Sequence, residues 1–371
     1  MSAKRQRKIR VELKKNRAPS ARRNDLTRQL RDGEAELDRL AREARMSGKG
    51  EVTRRRTLIS DESGGRVIDE TACRSGRVIR AIGATQCFVQ DDATAVTYQC
   101  TVRRVLRTLA SDERNAVVAG DRVLFQPLDA TTGVIERVEP RQGVLSRGHH
   151  HREHVLVANV SQVMIVASTD EPPLKPALID RFLVSAAKGG VAAAICINKS
   201  DLVDAAELQP VIGLYSRLGY WVIATSTRTG AGIARLRRQL VGHETVFAGQ
   251  SGVGKSSLLN AVQPGLGLRT GEVSETSHKG RHTTRSAELL KLDLGGWVVD
   301  TPGIRQFELW EVSPGEVEGY FVEFRPFVPL CRYPNCLHLT EDGCAVRAAV
   351  CDDLISRTRY ESYARIVMGD V

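Results

Sequence analysis

The sequence predicts a multidomain protein. An all-β barrel of the OB type is followed by an α/β P-loop domain and then by a small C-terminal zinc-binding helical module. Three observations predict it. Short strand-like runs separated by Gly, Asp and Asn crowd the stretch from Ser63 to about Leu145. The loop Gly249-Gln250-Ser251-Gly252-Val253-Gly254-Lys255-Ser256 fits the phosphate-cradling pattern G-x-x-x-x-G-K-[ST] without a mismatch, between an apolar run and a helix-forming one. Cys331, Cys336, His338 and Cys344 fall close together near the C-terminus.

At 371 residues the chain exceeds one ordinary core and calls for two or three domains. No run approaches the roughly 18 apolar residues of a membrane span, and the basic N-terminus lacks the apolar stretch of a secretory signal. A cytoplasmic protein without membrane contact is expected. Eight cysteines are too sparse for a disulfide scaffold. The formal charge is +10, and residues 1–58 carry 19 Lys and Arg against 8 Asp and Glu, so the basic excess is concentrated there. Such a segment points to a polyanion such as RNA. The plainer alternative is a solubilising tail.

Taken in order, residues 1–62 read as a basic extension. Its first 20 residues are too polar to fold alone, and Asn24 to Met46 has at most the thin leucine stripe of a solvated helix. Residues 63–148 read as the barrel, with strands at 76–82, 87–90, 95–102, 122–126 and 132–138. A barrel of this type often binds RNA, but it can equally be purely structural. His149, His150, His151 and His154 lack a Cys or carboxylate framework and read as a polar linker rather than a metal site.

Residues 149–312 change period to alternating strands and helices. Strands are expected at 160–167, 191–197, 220–224, 244–248, 287–294 and 297–299, with helices between, in a three-layer sheet of mostly parallel strands. Residues 313–371 hold the cysteine cluster and a basic, aromatic helix that would touch RNA or pack on the metal module.

The glycines of the 249–256 loop allow backbone N–H groups to turn toward phosphate oxygens, and the helix start adds positive potential. Gly249, Gln250, Ser251, Gly252, Val253, Gly254, Lys255, Ser256 and Ser257 form the candidate phosphate-binding set. Lys255 would reach the β and γ phosphates, and the Ser256 hydroxyl would ligate Mg²⁺. Asn198-Lys199-Ser200-Asp201 has the form N-K-x-D directly after an apolar run. A carboxylate at Asp201 can accept from the N1–H and 2-amino group of guanine, donors adenine lacks, and Asn198 can meet the O6 or N7 edge. This disfavours an ATP-using kinase. Thr225-Ser226-Thr227 either supports the base, through Ser226, or is an ordinary turn. Asp300-Thr301-Pro302-Gly303 follows another short strand. Asp300 would hold Mg²⁺ through water and the Gly303 N–H would sense the γ-phosphate. Within the polar stretch 270–285, Thr284, or failing that Thr283, is the candidate second hydroxyl ligand to Mg²⁺.

The order of these motifs is rotated. N-K-x-D precedes the phosphate loop, which precedes D-x-x-G, so the expected domain is circularly permuted. Three thiolates and one imidazole at residues 331–344 fill a tetrahedral shell and leave no open position, as in a structural Zn²⁺ site.

With this order, a preceding OB-like barrel, Gly280-Arg281-His282-Thr283-Thr284 and the Cys3His cluster, the sequence from about Ser63 to Val367 resembles the RsgA (YjeQ) family of circularly permuted ribosome-biogenesis GTPases. The resemblance implies GTP/GDP, Mg²⁺ and one structural Zn²⁺ as ligands. It further implies a cytoplasmic, monomeric factor that binds the small ribosomal subunit and its 16S-type rRNA late in maturation, with subunit-stimulated hydrolysis accompanying release. The alternative is a non-catalytic RNA-binding scaffold that uses GTP as a structural ligand. The position after Gly303, where a water-orienting Gln often sits, is Ile304. An apolar side chain cannot orient water, so His282 is the candidate for that role, unless it is a plain surface histidine.

Overall fold

The computed structural model describes residues 70–103, 106, 116–149, 152–268, 287–300 and 312–369, and the backbone of two strands nearer the N-terminus; at 147–149, 152–154 and 300 it describes the backbone alone. The chain divides into two compact units, Met1–Thr71 and Ala72–Val371. In the first, β1 (Arg7–Leu13) pairs antiparallel with β2 (Arg54–Ser60), with Ile9 opposite Leu58. Within the arm of residues 1–20, expected to be disordered alone, residues 7–13 thus form a strand, and the rest of the arm lies outside the described residues. Ile9, Val11 and Leu13 alternate with Arg10 and Glu12 in sequence, the period of a strand. The helix expected over 24–46 lies outside the described residues.

In the second unit the barrel is built from β3 (Arg74–Ile82), β4 (Gln86–Asp91), β5 (Thr97–Val102), β6 (Arg122–Pro127) and β7 (Thr132–Val138). Alternate residues of β4 and β5 are buried, as period-two sequences dictate. The strands pair in the order β3-β4-β5-β7-β6, and β3 also pairs with β6, closing the barrel around Val78, Val89, Phe125 and Ile135. β5 and β7 run parallel and the other barrel pairs antiparallel. A hairpin follows, β8 (Val144–His149) with β9 (Arg152–Ala158), across the stretch expected to be a polar linker. The polar stretch from Ser146 to His154 hides a strand pair whose outer ends, Val144-Leu145 and Val155-Leu156-Val157, are apolar. His149 and His154 sit on its two strands, while His150 and His151 lie outside the described residues.

The nucleotide-type sheet comprises β10 (Gln162–Ser168), β11 (Ala192–Asn198), β12 (Trp221–Ala224), β13 (Glu244–Ala248), β14 (Glu288–Lys291) and β15 (Trp297–Asp300). Its order is β12-β11-β10-β13-β15-β14. The first five run parallel and β14 antiparallel. α1 (Pro176–Lys188) and α2 (Ala205–Arg217) cover one face through Ile179, Leu183 and Tyr215. α3 (Ile233–Leu240) and α4 (Lys255–Val262) cover the other through Leu236, Leu240 and Leu258. Continuous apolar strands are the expected signature of a sheet buried on both faces.

β14 also pairs with β3, Glu288 opposite Arg80, so barrel and α/β sheet are continuous. Arg77 of β3, nearly fully buried, reinforces the joint. Its Nη2 donates to Glu244 Oε1 at 2.6 Å and its guanidinium lies 5.5 Å from the Trp297 ring centroid. Glu244 begins β13 and Trp297 begins β15. The barrel therefore holds the roots of the strands whose far ends carry the phosphate loop and Asp300.

The C-terminal module packs α5 (Pro314–Tyr320), α6 (Ala345–Cys351) and α7 (Arg357–Met368) around Phe321, Phe324, Val346 and Tyr363. Ser313 and Glu316 form a capping box at the start of α5. Val184 of α1 belongs to the same core, so the module sits on the α1 face of the sheet. Among the described residues no helix is long and apolar enough to cross a membrane.

Candidate functional site

The site lies at the carboxyl ends of β10, β11, β13 and β15, where an open α/β sheet places its ligands. Two glycines shape the loop between β13 and α4. Gly249 has φ 146, and a Cβ there would stand 2.2 Å from the Val166 carbonyl oxygen. Gly254 has φ 92, and its Cβ would lie 2.4 Å from Asn198 Nδ2. Neither position admits another residue without displacing the loop. Lys255 opens α4, and its Nζ donates to the carbonyls of Gly249 and Gln250 at 2.8 Å each, so the ammonium sits on the loop itself. Ser256 and Ser257 follow in the first turn, half-buried, and Ser251 and Gly252 are exposed at the tip. This cradle fits a chain of phosphates.

β11 delivers the second motif to the same place. Ser168 of β10 is in register with Asn198, which ends β11. Asn198 is almost fully buried, and its Nδ2 donates to the Val253 carbonyl at 2.9 Å while its Oδ1 accepts from Thr225 Oγ1 at 3.2 Å. Asn198, a candidate for the base edge, also ties the N-K-x-D strand to the phosphate loop, and its amide NH2 carries a second N–H beyond the one given to Val253. Replacing Asn198 with Ala is expected to lower stability by about 1–3 kcal/mol, since the buried Val253 carbonyl loses its donor. Urea unfolding checks the stability, and a nucleotide titration should show weaker GTP binding alongside it.

Lys199 adopts the left-handed region at φ 60, its carbonyl accepts from Thr169 Oγ1 at 2.7 Å, and its Nζ donates to the Glu171 carbonyl. That turn brings Asp201 to the mouth. Its carboxyl is held below the usual carboxylate range, first by a hydrogen bond from the Ser226 side chain and also by the charge of Arg228, whose Nε lies 3.2 Å from Oδ2. Asp201 therefore presents an ionised acceptor at neutral pH. Ser226 Oγ in turn accepts from the N–H groups of Arg228 and Thr229 at 3.2 and 3.1 Å, which builds the turn after β12.

The third motif begins at the same edge. Val246 faces Val299 in the parallel ladder, so the Asp300 backbone stands abreast of Phe247, just before the phosphate loop. His282, Thr283, Thr284, Gly303 and Ile304 lie outside the described residues.

In the C-terminal module, one ligand atom each from Cys331, Cys336, His338 and Cys344 lies within 4.8 Å of the others. The sulfurs of Cys331 and Cys344 are 4.0 Å apart, and His338 Nδ1 stands 3.5 Å from the first and 3.4 Å from the second. A tetrahedron with Zn–S of about 2.3 Å and Zn–N of about 2.0 Å has S···S edges of about 3.8 Å and S···N edges of about 3.5 Å, so the donor set fits zinc. His338 Nε2 meets Glu318 Oε2 at 2.6 Å. The carboxylate fixes the proton on Nε2 and leaves Nδ1 free to coordinate. Burial, reinforced by the neighbouring sulfurs, pushes the Cys336 thiol up to about 12, so a thiolate there calls for a cation.

Residues 138–310 match the family model described as RsgA GTPase. The small ribosomal subunit biogenesis GTPase RsgA of Moorella thermoacetica is 43% identical over 288 residues, which cover 78% of this chain and 94% of that protein. The chain belongs to the RsgA GTPase family. The RsgA of Thermotoga maritima is 41% identical over 292 residues, 78% of this chain and 94% of that one. The crystal structure of YjeQ from Thermotoga maritima superposes with a TM-score of 0.67 at 37% identity, covering 80% of this chain and 98% of that chain. YloQ, described as a circularly permuted GTPase, gives 0.64 at 30% identity, covering 82% and 97%. This chain is thus an RsgA-type GTPase with the permuted motif order.

Two features of this RsgA-family site escaped sequence reading. Thr225 is the donor that orients Asn198, a role its motif did not announce, and Glu318 behind the zinc histidine had no signal at all. A carboxylate many residues upstream of a Cys/His cluster carries no spacing rule.

Proposed function

We propose that this GTPase binds the small ribosomal subunit during late maturation in the cytoplasm, acting as a monomer, and that contact with the subunit's 16S-type rRNA stimulates GTP hydrolysis and with it release. The observation that carries the reading is the bond from Asn198 to Val253. It holds the base-selecting turn and the phosphate loop as one unit, the geometry a guanosine triphosphate spans.

Within that unit Asp201 accepts from the guanine edge, with Ser226 bracing its carboxylate, and the Lys199 stem covers the base. The N–H groups of the 249–257 stretch surround the phosphates, and Lys255 leaves the loop carbonyls for the β and γ oxygens. Ser256 and Thr284 would ligate Mg²⁺ directly and Asp300 through water, while the Gly303 N–H reads the γ-phosphate. When bound, the ion neutralises charge that develops between the β and γ phosphates. His282 orients the attacking water in place of the residue that Ile304 cannot supply. The zinc module has a closed ligand set and acts as a scaffold.

The barrel supports the coupling. β3 pairs with β14, which follows the 270–285 segment, and Arg77 grips the roots of β13 and β15. RNA bound to the barrel is thereby one strand away from the loops that close on the γ-phosphate.

Phosphate release with and without purified small subunits tests the proposal. Stimulation is expected, and its absence would favour the non-catalytic scaffold. His282→Ala is expected to cut stimulated turnover about 10²-fold or more, the range for a positioned acid or base, with GTP affinity unchanged. Full stimulated turnover in that variant would remove His282 from the mechanism.

A further inference from the structure

Between Leu218 and Gly242 the sequence contains no Asp or Glu and four arginines, Arg228, Arg235, Arg237 and Arg238. The structure places three of them on α3 and the fourth, paired with Asp201, in the turn before it. α3 buries Leu236 and Leu240 against the sheet and turns Arg235, Arg237 and Arg238 outward, all three exposed. Arg228, in the turn just before α3, is also exposed. Among the described residues Arg237 and Arg238 form no ion pair. A surface helix ordinarily laces its cations with carboxylates three or four residues away, and a helix without them suffers mutual repulsion. An anionic partner removes that cost.

Two further observations define the partner. All four cations are arginines, whose planar forks match phosphate oxygens better than an ammonium does. Arg235 is already ordered, its guanidinium 5.5 Å from the Trp221 ring centroid, so little side-chain freedom remains to be lost on binding. The position is also distinct from the barrel. α3 follows β12, which ends the sheet opposite the barrel, and it covers the face away from α1 and the zinc module.

We propose that this arginine face is a separate RNA-binding surface that contacts the phosphate backbone. The inference rests on the reading that the GTPase acts on ribosomal RNA, and it adds a contact surface on the nucleotide domain itself. Arg228 is left out of the test because it touches Asp201.

The experiment measures equilibrium binding of the full chain to protein-free small-subunit rRNA and to intact small subunits over a series of salt concentrations. It compares the wild type with R237A/R238A and R237K/R238K, and GTP affinity is measured for each. The alanine variant is expected to bind rRNA roughly tenfold more weakly near physiological salt, with a log–log salt slope smaller by about two. The lysine variant should keep that slope, and all three proteins should bind GTP equally. If the alanine variant binds rRNA with unchanged affinity and slope while the wild type binds well, this face is not an RNA surface and the proposed function stands. Loss seen with intact subunits but not with protein-free rRNA would assign the face to an acidic protein and overturn the proposal. A wild type that binds neither overturns the proposed function as well.

Discussion

Cys336→Ser, or metal removal with a strong chelator, is expected to unfold residues 312–369 while GTP binding persists. The module's core is small: Phe321, Phe324 and Tyr363 cluster with centroids 4.8 to 5.3 Å apart, and the side chains enclosed around them are mostly short aliphatics such as Val317, Val346 and Ile355. A core of that size rarely supplies a fold with its stability, whereas a structural zinc contributes an apparent 10 kcal/mol or more at neutral pH in isolated zinc modules. Packing on α1 offsets part of the loss here. Measured zinc content, the helical signal and the pattern of limited proteolysis should change together. An unchanged proteolytic pattern in a zinc-free chain would refute the structural role.

The same site carries a pH sign. Each thiol must lose its proton to bind the metal, and burial sets Cys336 at about 12 without it. Zinc affinity should therefore fall as pH falls, with protons released on binding. Glu318→Gln should keep the fold at saturating zinc but weaken zinc binding about 10- to 100-fold, because the carboxylate that aims His338 is gone.

What could be read in advance follows from how local each signal is. The five barrel strands were legible because one face of each is buried, which writes period two into residues such as Val89, Tyr98 and Val102. The zinc ligands were legible because donor chemistry and short spacing lie on one segment. Pairings between distant segments were not. Nothing near Arg80 announces that β3 will meet β14, since a strand's own pattern does not name its partner, and the polar stretch from Ser146 to His154 hides the β8 and β9 hairpin. Asn198 is the instructive case. Its motif marks the place, but its bond to the Val253 carbonyl, 55 residues on, had no local signal, because a motif records residue type and the fold decides what the amide reaches. A helix with basic and aromatic residues over 357–365 was open between RNA contact and packing. Its Arg359 and Tyr363 prove to be interior residues.

Arg359 leads to the second large effect. It is the largest fully buried side chain of the described residues, and it joins three elements. Its Nη1 donates to Asp180 Oδ1 of α1 at 2.5 Å, its Nε and Nη2 donate to Glu323 at 2.6 and 3.2 Å, and Phe321 stacks 4.4 Å from the guanidinium. Tyr215 of α2 donates to the same Asp180 oxygen at 2.7 Å. The zinc module is thereby locked to both helices on that face of the GTPase sheet. Arg359→Met should cost about 3–5 kcal/mol in urea unfolding, because it strands a carboxylate that has no access to water. Burial already drives the Asp180 carboxyl above its ordinary range against the pull of Arg359, so without the arginine it rises further and takes up a proton. A carboxyl whose folded value lies above its unfolded one contributes stability below the unfolded value and loses it as pH rises through the folded one. The penalty of Arg359→Met should accordingly shrink toward acid pH. Combining it with Asp180→Asn removes the stranded charge, and the double variant should be more stable than the sum of the single losses by about 0.5–3 kcal/mol. Strict additivity would mean that Arg359 is not coupled to Asp180, and that its effect comes from Glu323 and from packing on Phe321.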